Sequence, residues 1–176
     1  MVDLREKVAE DRGMIAKIQS VIPGFSGYRA REDIRAADNM LRMQLADRLA
    51  GARAGVEACR AVLADNLSLD HMDRIGVLIN KFRALEGEVR HAEQGYSGIA
   101  AKIQVGEAEL NRLYEFDYAQ IAAILAVENE IPALRAAVDA DDGAAIKNAA
   151  SKILAQLTVF GEAFKKRMTV ITGTEA

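Results

Sequence analysis

Apolar residues recur along this chain at intervals of three and four, the spacing that gathers side chains on one face of an α-helix. Leu4, Val8, Ile15, Ile18 and Ile22 do so first and predict a helix over 2–22 with mixed charges on its other side. Pro23-Gly24-Phe25-Ser26-Gly27 breaks it. Ile34, Leu41, Leu45, Leu49, Ala52, Val56, Cys59 and Leu63 then form a coiled-coil-like seam on a long helix over 29–64. Asp65-Asn66 closes that helix, and Ser68 or Asp70 is suited to cap the next, 69–94, whose stripe is Ile75, Leu78, Phe82, Leu85 and Val89. Gly95-Tyr96-Ser97-Gly98 follows, and then a helix over 106–139 in which Pro132 predicts a kink or a restart near Asn129. Asp139 to Gly143 reads as a loop, and Ile146, Ala150, Ile153, Leu157, Phe160, Phe164, Met168 and Ile171 mark a last helix over 144–171, leaving 173–176 as a short tail. The expectation is one all-α domain, an elongated antiparallel bundle of four to five helices with coiled-coil-like seams.

Two turns share the form Gly-aromatic-Ser-Gly: Gly24 to Gly27 and Gly95 to Gly98. Each lies between a shorter helix and a longer one. Their glycines suit the positive φ of helix-ending turns. A duplicated helical hairpin is the alternative reading.

Composition agrees with a helical protein. Of 176 residues, 51 % are hydrophobic and 28 % charged, with two prolines and no tryptophan, a makeup that buries a core without a staple. The net charge of -3 comes from interspersed opposite charges, which disfavours nucleic acid as a partner. Cys59 is the only cysteine and cannot form an internal disulfide. No basic start followed by an apolar run precedes residue 25, and no apolar run approaches the roughly 18 residues of a bilayer span. A cytoplasmic location is expected, with membrane contact at most peripheral. Lys165, Lys166 and Arg167 fall at the end of the last helix, where positive charge complements the helix dipole, so they are read as dipole partners rather than as a binding site.

Most candidate chemistry fails on pattern. Glu88-Val89-Arg90-His91 has the Glu-x-x-His spacing of di-iron bundles, but such a site needs two of these motifs facing inward, and His91 projects away from the apolar stripe. Neither Ser26 nor Ser97 lies in a Gly-x-Ser-x-Gly elbow after a strand. There is no phosphate loop, zinc-type Cys/His set or dinucleotide fingerprint, so no cofactor is expected. Interior carboxylates remain. With Ile121 as reference, Leu110, Tyr114, Asp117, Ile124 and Glu128 project within about 60° of one direction, and Asp38 falls between Ile34 and Leu41 on the second helix. A buried carboxylate needs a partner. Arg31, Arg35, Arg42, Tyr96 and the backbone N–H groups of the glycine turns are the candidates. The first reading is a buried polar network that fixes helix register. The sharper one is a pocket in which Asp38, Tyr114, Asp117 and Glu128, with Tyr96, bind a small ligand, or in which Asp38, Asp117, Glu128 and His71 bind a metal.

Pro23-Gly24-Phe25-Ser26-Gly27-Tyr28 before a charged helix start, then Gly95-Tyr96-Ser97-Gly98, then Leu113-Tyr114-Glu115-Phe116-Asp117, resembles a group of uncharacterised bacterial all-helical proteins. The resemblance implies a bacterial cytosolic origin and a defined fold, and brings no catalytic residues. The leading functional expectation is a non-enzymatic interaction or scaffold protein that binds a protein partner or itself. A metal- or small-ligand-binding bundle is second. A peripheral membrane-associated hairpin is third, disfavoured by balanced charge and the lack of tryptophan.

Overall fold

In the computed structural model, which describes residues 4–27, 31–92 and 107–172, with side chains over 12–27, 36–92 and 110–171, these periodicities become five α-helices, with no strand among the described residues. They are α1 (Leu4–Val21), α2 (Arg31–Asp65), α3 (Met72–His91), α4 (Glu107–Asp139) and α5 (Gly143–Thr172), with a 3-10 turn at Leu69–His71 ahead of α3. None of them is long and apolar enough to cross a membrane.

The helices pack as their stripes require. On α2, Leu41, Leu45, Leu49, Val56, Cys59 and Leu63 are all buried, and on α3 so are Ile75, Leu78, Phe82, Leu85 and Val89. Each fully buried Leu, Ile or Phe contributes about 1.5–3 kcal/mol relative to exposure, so these stripes are what drive the hairpin shut. α2 packs on α3 and α4, and α5 also packs on α3 and α4. The four therefore form a ring in the order α2, α3, α5, α4, with α2 diagonal to α5, while α1 lies on α4. α4 is covered by α1, α2 and α5, and its buried residues accordingly spread around the helix: Leu113, Ile121, Ala123, Ile124, Val127, Leu134 and Ala137.

Two departures from the sequence reading have plain causes. α4 passes through Pro132 as one helix, without a restart near Asn129. Pro132 lies on an exposed position, so the carbonyl of Glu128 that loses its N–H donor is left near water rather than in the core. Ser68 does not cap α3 with its side chain. Its Oγ donates instead to Asp141 Oδ1 across the gap between hairpins, at 2.8 Å.

That contact joins two turns of the same design. α2 closes with Ser68 N–H bonded to the Leu63 carbonyl (2.9 Å) and Leu67 N–H to that of Ala64 (3.1 Å). α4 closes with Asp142 N–H on Ala137 (3.0 Å) and Asp141 N–H on Val138 (3.1 Å). Both are Schellman closures, whose C′ residue takes a left-handed conformation. Leu67 and Asp141 fill that place, with φ of 58° and 50°. Asp142 then caps α5, its Oδ1 accepting the N–H of Ala145 at 3.0 Å.

The first glycine turn closes the opposite end. Gly24 and Gly27 have φ of 84° and 85°, in keeping with their reading as turn residues. Gln19 Nε2 donates to the Phe25 carbonyl at 3.0 Å and Gln44 Nε2 to that of Pro23 at 3.1 Å, which pins the turn to α1 and α2. A Cβ on Gly27 would lie 2.9 Å from Tyr114 Oη. Gly95 and Gly98 lie outside the described residues.

Two glycine substitutions separate turn from helix. Gly27→Ala combines a positive φ with that clash and is expected to lower unfolding free energy by about 2 kcal/mol or more. Gly51→Ala, on an exposed part of α2 where a Cβ meets nothing within 4 Å, is expected to raise it by about 0.5–1 kcal/mol. Urea unfolding of the two variants measures both; equal effects would contradict the account of the turn.

Candidate functional site

Asp38 on α2 and Asp117 on α4 are both buried, and both are held by one arginine of α5. Arg167 donates Nε–H to Asp117 Oδ1 and an Nη1 hydrogen to Asp38 Oδ1. Arg42 takes the other side of Asp38, its Nε donating to Oδ2 at 2.8 Å, and extends an Nη1 hydrogen to the carbonyl of Val89 at 3.2 Å. Val89 lies in the last turn of α3, where carbonyls have no donor within the helix. The chain of contacts therefore runs Asp117, Arg167, Asp38, Arg42, Val89, and it touches every helix of the ring. Asp38 and Asp117 lie toward the starts of α2 and α4, and Val89 and Arg167 toward the ends of α3 and α5. The pairs α2/α4 and α3/α5 are thus antiparallel to one another.

Two carboxylates and two guanidiniums cancel in charge. Removing each ion from water still costs several kcal/mol, and geometry of this kind is what offsets it. Arg167 is fully buried and reaches across the diagonal from α5 to α2. Its planar fork suits two carboxylates at once.

The expected ligand set is therefore divided. Asp38 and Asp117 do converge, but on an arginine. Tyr114 is buried one turn before Asp117 and packs its hydroxyl against Gly27. Glu128 lies about 16 Å further along α4. It accepts two hydrogen bonds from Arg48 Nη1, at 2.7 and 2.9 Å, and is one-third exposed. His71 is at the other end of the bundle, where a Cβ on Gly143 would lie 2.7 Å from its Nε2. A metal site made of Asp38, Asp117, Glu128 and His71 does not form, because the guanidiniums fill the place a cation would need and the other two residues are elsewhere. Among the described residues no three His, Cys, Asp or Glu side chains are placed to hold a metal. Glu88 and His91 are exposed. Tyr96 and the side chains of Arg31 and Arg35 lie outside the described residues.

Arg167 departs from the reading of the basic cluster as helix-dipole partners, because it is fully buried and paired with two aspartates. The signal was present: counted at about 100° per residue, Arg167 projects within about 20° of Phe160, at the edge of the stripe. Gln120 is a further buried polar residue, outside the seam drawn through Ile121. It shares heptad spacing with Leu113, Val127 and Leu134, all fully buried. Its Nε2 donates to the Phe116 carbonyl at 3.2 Å, and its Oε1 has no partner among the described residues.

The α2–α3 surface carries a ladder of opposite charges. Arg90 meets Asp47 (2.9 Å) and Glu86 (3.7 Å), Arg53 meets Glu86 (3.3 Å) and Glu57 (2.8 Å), and Arg83 meets Glu57 (3.0 Å). The hydrogen bond from Arg53, assisted by that from Arg83, holds the Glu57 carboxyl below its ordinary range. Burial pushes the Cys59 thiol up, which keeps it protonated and unreactive. Beyond Arg83 the ladder opens into a groove of about 460 Å³ between the two helices.

Comparison of the chain with family models, curated proteins and solved structures finds no match.

Arg167→Met leaves the buried Asp117 carboxylate without its guanidinium and is expected to cost about 3–5 kcal/mol, whereas the double variant Asp117→Leu, Arg167→Met, which keeps the Asp38–Arg42 pair, is expected to recover most of that loss. Thermal and urea unfolding measure both, and additive losses in the double variant would contradict a closed network. Separately, Gln120→Met removes an unsatisfied acceptor at nearly constant volume and is expected to gain about 1 kcal/mol. A loss there would mean that the amide has a bonding role.

Proposed function

We propose that this is a non-enzymatic helical interaction or scaffold protein that associates with a second copy of itself or with a protein partner through the α2–α3 turn. The polar groups with the means for chemistry, Asp38 and Asp117, are committed to holding helices together. What supports an interaction role is the turn itself. Leu67 is 80 % exposed and Leu69 is 64 % exposed, the two most exposed large apolar side chains among the described residues.

Leu67 also occupies a backbone position that suits glycine. A left-handed conformation costs a residue with a Cβ roughly 1–2 kcal/mol, and the equivalent place on α4 holds Asp141, a residue type that tolerates it. An apolar side chain held in water on a strained backbone contributes nothing to the isolated fold. Burial against a partner gives it a use.

Stability and association are expected to move in opposite directions at this turn. Leu67→Gly is expected to raise unfolding free energy by about 0.5–1 kcal/mol, and combined with Leu69→Ser to weaken self-association seen by sedimentation velocity over a concentration series. Self-association that ignores both substitutions would remove the turn from the interface. A wild-type protein that stays monomeric throughout would remove self-association from the proposal.

A further inference from the structure

The ladder of charges on α2 and α3 is balanced along most of its length and unbalanced at one end. Arg53 and Arg90 each meet two carboxylates. Among the described residues Arg83 meets only Glu57, through Nη2, and its side chain is 60 % exposed. Arg60, the next guanidinium, makes no hydrogen bond or ion pair among the described residues, and Asn80 makes none through its amide. These three side chains line the groove of about 460 Å³, and between them lie Met72, Gly76 and Ile79. Ile79 is buried and Met72 half-buried, so the floor is hydrocarbon. Gly76 keeps it open, since a Cβ there would meet nothing within 4 Å.

A cationic rim over an apolar floor selects a ligand with both characters. Two guanidiniums and an amide supply donors without a matching acceptor beyond Glu57, which favours a carboxylate or phosphate. The floor favours a hydrocarbon chain, and the volume falls within the range of small-molecule sites. We propose that the groove between α2 and α3 binds a free anionic amphiphile, a carboxylate or phosphate head on a short hydrocarbon tail, with the head at Arg60 and Arg83 and the tail along Met72, Gly76 and Ile79. This site is separate from the α2–α3 turn and does not depend on the association proposed there.

Calorimetric titration of the full chain with decanoate tests it, with decanol and decyltrimethylammonium as uncharged and cationic counterparts. One decanoate is expected to bind per chain, with either counterpart weaker by about tenfold or more. Arg60→Gln is expected to weaken decanoate by a similar factor. Gly76→Leu is expected to abolish it by filling the groove, while leaving the fold intact because the position is open. Arg74→Gln, an exposed arginine outside the groove, is expected to change nothing. No saturable decanoate binding up to millimolar concentration would overturn the proposal, as would binding that survives both Arg60→Gln and Gly76→Leu. Phosphatidylglycerol vesicles distinguish a free ligand from a membrane surface. Flotation with them that is lost in Arg60→Gln, without any binding of free decanoate, would assign the rim to a membrane and overturn the proposal too.

Discussion

A fully buried arginine cannot be left alone, and in this protein that constraint ties the bundle together. Arg167 enters the interior from the last turns of α5 and finds two carboxylates from two other helices. Asp38 is held in turn by Arg42, and Arg42 reaches the free carbonyl of Val89 on α3. Apolar packing alone allows helices to slide and rotate with little loss, because one methyl group is much like another. A guanidinium between two aspartates does not. Its hydrogen bonds fix both the register and the rotation of α5 against α2 and α4, the role for which buried polar groups are best attested.

The two ends of the bundle are secured by different means. At one end the ion network and the docked Gly24 to Gly27 turn draw on long-range contacts, with Tyr114 packed against Gly27. At the other, two Schellman closures of the same form meet through Ser68 and Asp141, and His71 lies against Gly143. The second end carries Leu67, exposed and in a left-handed conformation. The α2–α3 side and its turn are the proposed interaction surfaces, while Asp38 and Asp117 hold helices together.

Much of this fold is legible in the chain because most helices bury one face. The stripe of α2 from Leu41 to Leu63 appears in the structure as the spacing predicts, and so does that of α3. α4 is harder, since α1, α2 and α5 cover three sides of it and no single stripe describes its buried surface. A seam drawn through Ile121 captures Asp117 and misses Gln120. The burial of Asp38 and Asp117 was readable from periodicity, but their meeting was not, because convergence depends on which helices become neighbours. Arg167 was misread for a different reason. A positive charge at a helix end satisfies the dipole rule so readily that its place on the Phe160–Ile171 stripe went uncounted. Ser68 similarly fits a cap, and only the second hairpin beside it gives its hydroxyl another partner.

The central claim is that Arg167 is locked between Asp38 and Asp117 and leaves them only when the bundle opens. Hydrogen exchange at the Arg167 Nε–H, followed by NMR with Arg60 as the exposed reference, measures this directly. The account predicts a resolved Arg167 Nε–H resonance that exchanges only with global unfolding, so that its protection tracks the stability measured by urea, while Arg60 exchanges freely. Exchange of the Arg167 proton at a rate comparable to that of Arg60, in a protein whose core amides stay protected, would contradict it.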